Sequence, residues 1–229
     1  LSDSKGKKVY SIQGKEADFP GLPTERVRKT YALPLKKITI SRSLYGWLLN
    51  QSDDKNISII LNSVDTAQFS ASLRNKQSNP TIGVLYSDAY IKGFDVSIKA
   101  IKIIKEKYAN LKIISFGVSP IGNHFQLPKN FEYYQQPPQE EIAELYSKCD
   151  VWLCGSRMEG FHLPPLEAMA CRCPVVSTAV GGPIDIIQDG INGYIVPVND
   201  HEKLAEAVIN VLSLSNEDWL KMMLRLYCL

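Results

Sequence analysis

From residue 81 onward, short β-branched or apolar runs alternate with helix-patterned segments, and this alternation limits the fold more than any other feature of the chain. Thr81–Leu85, Leu111–Phe116, Phe131–Tyr134, Val151–Cys154, Pro174–Ser177 and Gly193–Val196 read as strands. Between them, Asp95–Tyr108 places Val96, Ile98, Ala100, Ile101 and Ile104 at helical spacing. Gln139–Lys148, Pro164–Cys171 and Glu202–Leu212 read as further helices. The strands are apolar almost throughout, so both faces of their sheet must be covered. Strand–helix alternation with right-handed crossovers then gives an α/β, Rossmann-like, doubly wound parallel sheet. Ligands of such sheets bind beyond the carboxyl ends of the strands. The loops after Leu85, Phe116, Cys154 and Ser177 are therefore expected to line a pocket.

The segment before residue 81 is less regular. Lys7–Ile12 reads as one strand, Phe19–Pro23 as loop, and Arg26, Arg28, Lys29, Lys36 and Lys37 as the solvated basic residues of a linker. Ile38–Ile40 and Ile57–Leu61 read as strands around a helix at Leu44–Leu49, and 70–80 as a polar tether. Residues 216–229 begin a helical pattern without a stop signal, and the first residue is Leu1 rather than Met. The chain is expected to be a fragment at both ends. A formal charge of +2 gives no reason to expect a nucleic-acid partner. No apolar run is long enough to span a bilayer, and no signal-type segment opens the chain. Five cysteines without a Cys-x-x-Cys pair point to a reducing compartment, so a cytoplasmic location is expected.

The chemistry concentrates in Ser156-Arg157-Met158-Glu159-Gly160-Phe161-His162-Leu163-Pro164-Pro165-Leu166-Glu167-Ala168-Met169-Ala170-Cys171. Glu159 falls in a loop after a strand and Glu167 in the first turn of the next helix, with seven residues between them. The helix start offers free N–H groups and the positive end of a dipole. Two carboxylates on either side of an anion site suit a ligand with hydroxyls at both ends and phosphate between, such as a nucleotide sugar.

This segment resembles the signature of the retaining glycosyltransferases of family 4 (group 1), whose GT-B fold faces two Rossmann-like domains. The resemblance runs in order through residues 38 to about 212. It takes in Ile38-Thr39-Ile40-Ser41, Asn62-Ser63-Val64-Asp65 with Phe69, Ile82-Gly83, Lys92-Gly93-Phe94-Asp95, the glutamate motif, Gly181-Gly182 and Asn192-Gly193. It implies that residues 38–215 form the C-terminal, donor-binding half of a GT-B enzyme. Residues 1–37 would then be a short remnant of the N-terminal acceptor domain and its linker, and 216–229 a cut C-terminal helix.

The resemblance also implies roles. Glu167 would accept the ribose hydroxyls and Glu159 would hold a hydroxyl of the donor sugar. Lys92 would neutralise charge on the leaving diphosphate. Gly160, Gly83 and the backbone amides of Phe161, His162 and Leu163 would line the donor site. The family usually has Gly where this chain has His162. It also usually places an Arg just after the first Rossmann strand, and here no Arg lies between Gly83 and Lys92. Ser87, Tyr86 or backbone N–H groups would have to substitute.

No Asp-x-Asp pair occurs, so neither a carboxylate-held metal nor another cofactor is expected. The implied partners are a nucleotide sugar, the absent N-terminal domain, and an acceptor saccharide or lipid-linked glycan, which would place a full-length protein peripherally at the inner membrane face. Two alternatives remain: a non-catalytic nucleotide-sugar-binding paralogue, and another GT-B enzyme such as a nucleotide-sugar epimerase or a phosphorylase. A dinucleotide oxidoreductase is disfavoured because no GxGxxG follows a strand.

Overall fold

The computed structural model describes residues 6–18, 23–51 and 56–225. Two parallel sheets organise it. The larger contains β4 (Thr81–Leu85), β5 (Lys112–Gly117), β6 (Phe131–Gln135), β7 (Val151–Cys154), β8 (Val175–Thr178) and β9 (Gly193–Val196) in the order β6-β5-β4-β7-β8-β9. Every pairing is parallel. This is the doubly wound order in which the chain winds outward from β4 one way and from β7 the other. The reversal opens a crevice between the carboxyl ends of β4 and β7.

Helices α3 (Phe94–Lys107), α4 (Gln139–Ser147), α5 (Leu163–Ala170) and α7 (His201–Ser213) cover this sheet. α3 packs on α7 and α4 on α5. Right-handed crossovers running outward in opposite directions put α3 and α5 on opposite faces. The short α6 (Pro183–Ile186) follows β8, and α8 (Asn216–Leu224) starts on the Ser215 side chain, which accepts from Asp218 N–H. The core centres on aromatic edges: Tyr146, Phe116 and Trp152 lie with ring centroids 4.5–5.5 Å apart. Asp150 is a buried polar hub. Its carboxylate accepts from Gln77 N–H at 2.8 Å and Thr81 N–H at 2.9 Å, its carbonyl accepts from Trp219 Nε1 at 2.9 Å, and Arg74 lies beside it. These bonds fasten the 70–80 segment and α8 to the base of β4 and β7. Among the described residues, no helix is long and apolar enough to cross a membrane.

The smaller sheet differs from expectation. β1 (Val9–Ile12), β2 (Lys36–Thr39) and β3 (Ile57–Ile59) pair in parallel in chain order. The strands read at 38–40 and 57–61 thus join β1 in the smaller sheet, β2 beside β1 and β3 beside β2, not the large sheet that follows residue 81. Periodicity identifies a strand but not its partner. The segment read as a linker contains α1 (Thr24–Tyr31). Its apolar signal is only Val27 and Tyr31, one turn apart on one face. Tyr31 is fully buried, edge-on to Trp47 at 5.3 Å, and its hydroxyl donates to Glu16 at 3.1 Å. Lys37 is likewise not a solvated linker residue. It is fully buried, and its ammonium donates to the carbonyls of Leu33 (2.9 Å) and Leu35 (3.3 Å). The Phe19–Leu22 part of the expected loop and residues 226–229 of the expected terminal helix lie outside the described residues.

The two sheets meet at the glutamate loop. Ser41 caps α2 (Arg42–Leu49) by accepting from Leu44 N–H, and its hydroxyl donates to Gly160 O at 2.8 Å. Arg42 N–H donates to Asp185 on α6 at 2.9 Å.

Candidate functional site

A cleft of about 510 Å³ lies at this meeting point. The large sheet contributes Ile91, Lys92 and the Met158–Pro164 loop. The other wall is Gln13, Gly14, Glu16, Ile40 and Asn62. Sequence reasoning missed Gln13, Gly14 and Glu16. The one signal for them was position: they follow the carboxyl end of β1, where parallel sheets hold ligands.

Lys92 comes from the short turn Tyr90–Lys92 after β4, and Glu159 from the loop after β7. The crevice between those strands brings the two residues together. Lys92 Nζ donates to both carboxylate oxygens of Glu159, at 3.0 and 2.9 Å. Ser156 Oγ adds a bond at 2.8 Å. The side chain of Glu159 is 7% exposed and that of Lys92 32%. The lysine is thus open to the cleft on one side, while the carboxylate is enclosed.

His162 precedes α5 in a left-handed backbone conformation (φ 77°). That region favours glycine, which explains why a glycine suits this position in the resemblance. The imidazole is buried, and among the described residues neither ring nitrogen has a hydrogen-bond partner. Nδ1 lies 3.4 Å from Glu159. Burial pushes its pKa down to about 4, Lys92 adds to that push and Glu159 opposes it. The ring is neutral at pH 7.

The helix start is narrower as an anion site than expected. Pro164 and Pro165 occupy the second and third positions of α5 and have no N–H to offer. The backbone N–H groups of Phe161, His162 and Leu163 donate to no acceptor among the described residues. These groups and the dipole remain available.

Glu167 is the fifth residue of α5, so it opens the second turn rather than sitting in the first. A rise of about 1.5 Å per residue carries it roughly 6 Å along the axis from Leu163. It is not part of the cleft lining. Its carboxylate accepts from Tyr146 O–H at 2.8 Å, and burial raises its pKa, with that hydrogen bond acting in the opposite direction. The cleft as it stands is thus lined by Glu159 and not by Glu167.

Three expected donor contacts have other duties. Gly83 lies in mid-strand, where a Cβ would collide with the Trp152 ring. It is a packing glycine under the core, not a residue of the cleft. Gly160 does line the cleft, and it is glycine because the Gln13 carbonyl occupies the place of its Cβ. Ser87 Oγ accepts from Ala89 N–H at 3.2 Å and shapes the turn leading to Lys92, outside the cleft lining. Tyr86 is buried, its hydroxyl accepting from Gly122 N–H at 2.9 Å. The Gly181-Gly182 turn braces the loop, with Gly182 N–H donating to Phe161 O at 2.6 Å.

A sequence model of the family described as glycosyl transferases group 1 matches residues 65–223, which hold Lys92, Glu159 and Glu167. The chain belongs to the group 1 glycosyltransferases. Among its relatives, an uncharacterised glycosyltransferase of Methanocaldococcus jannaschii is 33% identical over 136 residues, 56% of this chain and 38% of that protein. The N-acetyl-alpha-D-glucosaminyl L-malate synthase of Bacillus anthracis is 36% identical over 115 residues, 48% of this chain and 30% of that protein. Each match thus spans less than half of the relative's length. HepE of Anabaena, in a structure with UDP and glucose, superposes with a TM-score of 0.80 at 16% identity, over 96% of this chain and 65% of that one. TarM of S. aureus, in a structure with fondaparinux, alpha-GlcNAc-glycerol and UDP, gives 0.81 at 19% identity, over 96% and 46%. At such identities the likeness establishes the GT-B arrangement of the two sheets. In a group 1 glycosyltransferase of this architecture, the cleft between the sheets is the candidate site.

Proposed function

We propose that this chain binds the nucleoside-diphosphate sugar used by a retaining glycosyltransferase. One observation carries the proposal: a partly exposed cation, Lys92, is paired with a buried carboxylate, Glu159, in a cleft at the switch point of the large sheet. Lys92 turns from Glu159 to the diphosphate and offsets the charge that builds on it as it leaves. Glu159, released from Lys92, accepts a hydroxyl of the donor sugar. The free amides of Phe161, His162 and Leu163 donate to the phosphates or sugar, and Glu167 takes the ribose hydroxyls further along α5.

The C1–O bond to the diphosphate breaks, and the acceptor oxygen bonds C1 on the same face, so configuration is retained. The acceptor proton passes to the leaving phosphate oxygen. These groups supply the charge stabilisation without a metal ion or other cofactor. The acceptor is a saccharide or lipid-linked glycan, consistent with a role in polysaccharide or glycolipid synthesis at the inner membrane face. Its site belongs to a facing domain, so this chain binds donor but does not turn it over alone.

Titration calorimetry of the chain with UDP, GDP, CDP and dTDP tests the reading. One diphosphate should bind, and Glu167→Ala should weaken it. Failure of all four to bind, or robust transfer by this chain alone, would overturn the corresponding part. A non-catalytic, donor-binding paralogue is the second reading, favoured by the absence of an Arg between Gly83 and Lys92. Assay of the intact gene product with radiolabelled nucleotide sugars separates the two.

A further inference from the structure

We propose that Arg157 is a positioning residue for Lys92, acting by clamping the loop after β4 to the loop after β7. Two observations define the clamp. The Arg157 guanidinium donates to Asp95 through two parallel bonds, Nη1 to Oδ1 at 2.8 Å and Nη2 to Oδ2 at 2.7 Å. The same group also holds the Lys92 turn, with Nη1 donating to Tyr90 O at 2.8 Å and the cation stacked 4.0 Å from the Tyr90 ring centroid. Its backbone N–H donates to Ile91 O at 2.7 Å, so main chain and side chain grip the turn together. Nε donates to Asn199 Oδ1 at 2.7 Å and anchors the cation beyond α3.

The arrangement reaches Lys92 and Glu159 at once. Tyr90 and Ile91 immediately precede Lys92, Asp95 follows it on the first turn of α3, and Arg157 stands two residues before Glu159. The clamp therefore fixes the distance between the two groups that meet the ligand. Arg157 is not itself placed to bind phosphate. Its side chain is 12% exposed, four of its five N–H donors already have protein acceptors, and one face is covered by Tyr90. A planar fork with a stacking face is needed for this set of contacts, and a lysine cannot reproduce it. The Arg157 hydrogen bonds also hold the Asp95 carboxyl below its usual range.

The inference rests on the reading of Lys92 as a phosphate ligand, and the experiment separates the two. Affinity for UDP, GDP, CDP and dTDP is measured by calorimetry for the wild type, Arg157→Ala, Arg157→Lys, Lys92→Ala and the Arg157→Ala/Lys92→Ala double variant, with melting temperature measured in parallel. Arg157→Ala should weaken the bound diphosphate about tenfold, and Arg157→Lys should restore little of it. In the Lys92→Ala background the same substitution should cost almost nothing, because the group it positions is gone.

Equal losses in both backgrounds would mean that Arg157 only supports the fold, and would overturn the inference. So would unchanged affinity in Arg157→Ala. If the wild type binds none of the nucleotides, the donor-site reading fails and this inference with it. Should Arg157→Ala not fold, Asn199→Gly serves in its place. Asn199 has φ 65°, which glycine adopts without strain, and the substitution removes one anchor of the cation. A loss of about two- to threefold that disappears in the Lys92→Ala background supports the clamp, and its persistence there overturns it.

Discussion

The two glutamates of the motif live in different environments. Glu159, in the loop before α5, is held by an ammonium on both oxygens and by a hydroxyl. Glu167, one turn into α5, is held by a single phenol from the aromatic core. Freeing Glu159 means moving a charge, whereas freeing Glu167 means exchanging one hydroxyl donor for another. The difference teaches that the cleft end of the motif is an ion pair, which on the proposed function a charged ligand group would draw apart. The core end already accepts a hydroxyl, that of Tyr146, and on the proposed function it would accept those of ribose.

Removing the cation should have the largest effect. Lys92→Ala leaves Glu159 buried without its cation and, on the proposed function, withdraws the charge from the leaving group. The intact gene product should lose about 10²–10³ in kcat, and a loss below about threefold would break the contrast between the two glutamates. The same substitution should raise the His162 pKa, because Lys92 is one of the groups holding it down.

The next effect is a pH dependence of folding. The folded His162 titrates at about 4 against an ordinary 6.5, so its contribution to stability is full above 6.5 and is lost as pH falls toward 4. That is worth up to about 3 kcal/mol, and urea titrations at pH 7 and 4.5 should show the wild type losing more stability than His162→Gln. Burial raises the pKa of both Asp150 and Glu167, so they act with the opposite sign: their contribution is full at low pH and declines as pH rises through their folded pKa. The difference between wild type and variant isolates the histidine.

On the core side, Glu167→Ala should weaken the bound nucleoside diphosphate by about 10- to 100-fold by calorimetry, through loss of a carboxylate acceptor for two hydroxyls. An equal loss for inorganic pyrophosphate would show that Glu167 faces phosphate instead of ribose. Tyr146→Phe should have the smallest effect. Losing one hydrogen bond to Glu167 should cost about 1 kcal/mol of stability, with less change in affinity than Glu167→Ala. A larger effect on affinity than that of Glu167→Ala would mean that the phenol, not the carboxylate, holds the ligand.

The large sheet was readable because its signals are local. Four-residue apolar runs such as Val151–Cys154 can be buried on both faces only in a covered parallel sheet. The structure starts and ends most of those strands and helices within a residue or two of the reading. α1 was not readable, because a helix held by Tyr31 and Val27 alone carries almost no periodic signal. Lys37 looked solvated because only the fold brings the Leu33 and Leu35 carbonyls to its ammonium.

By itself the sequence determined the alternating architecture and the family, and it singled out Lys92, Glu159 and Glu167 as candidates, since each rests on neighbours a few positions away along the chain. Tertiary structure decided which of them meet. Lys92 and Glu159 are 67 residues apart and touch because β4 and β7 are adjacent at the point where the strand order reverses. Gly83 and Gly160 look alike as letters, yet one lies under a tryptophan and the other against the backbone of the second sheet. A glycine's place is set by what approaches the missing Cβ, and that neighbour is a property of the packed chain.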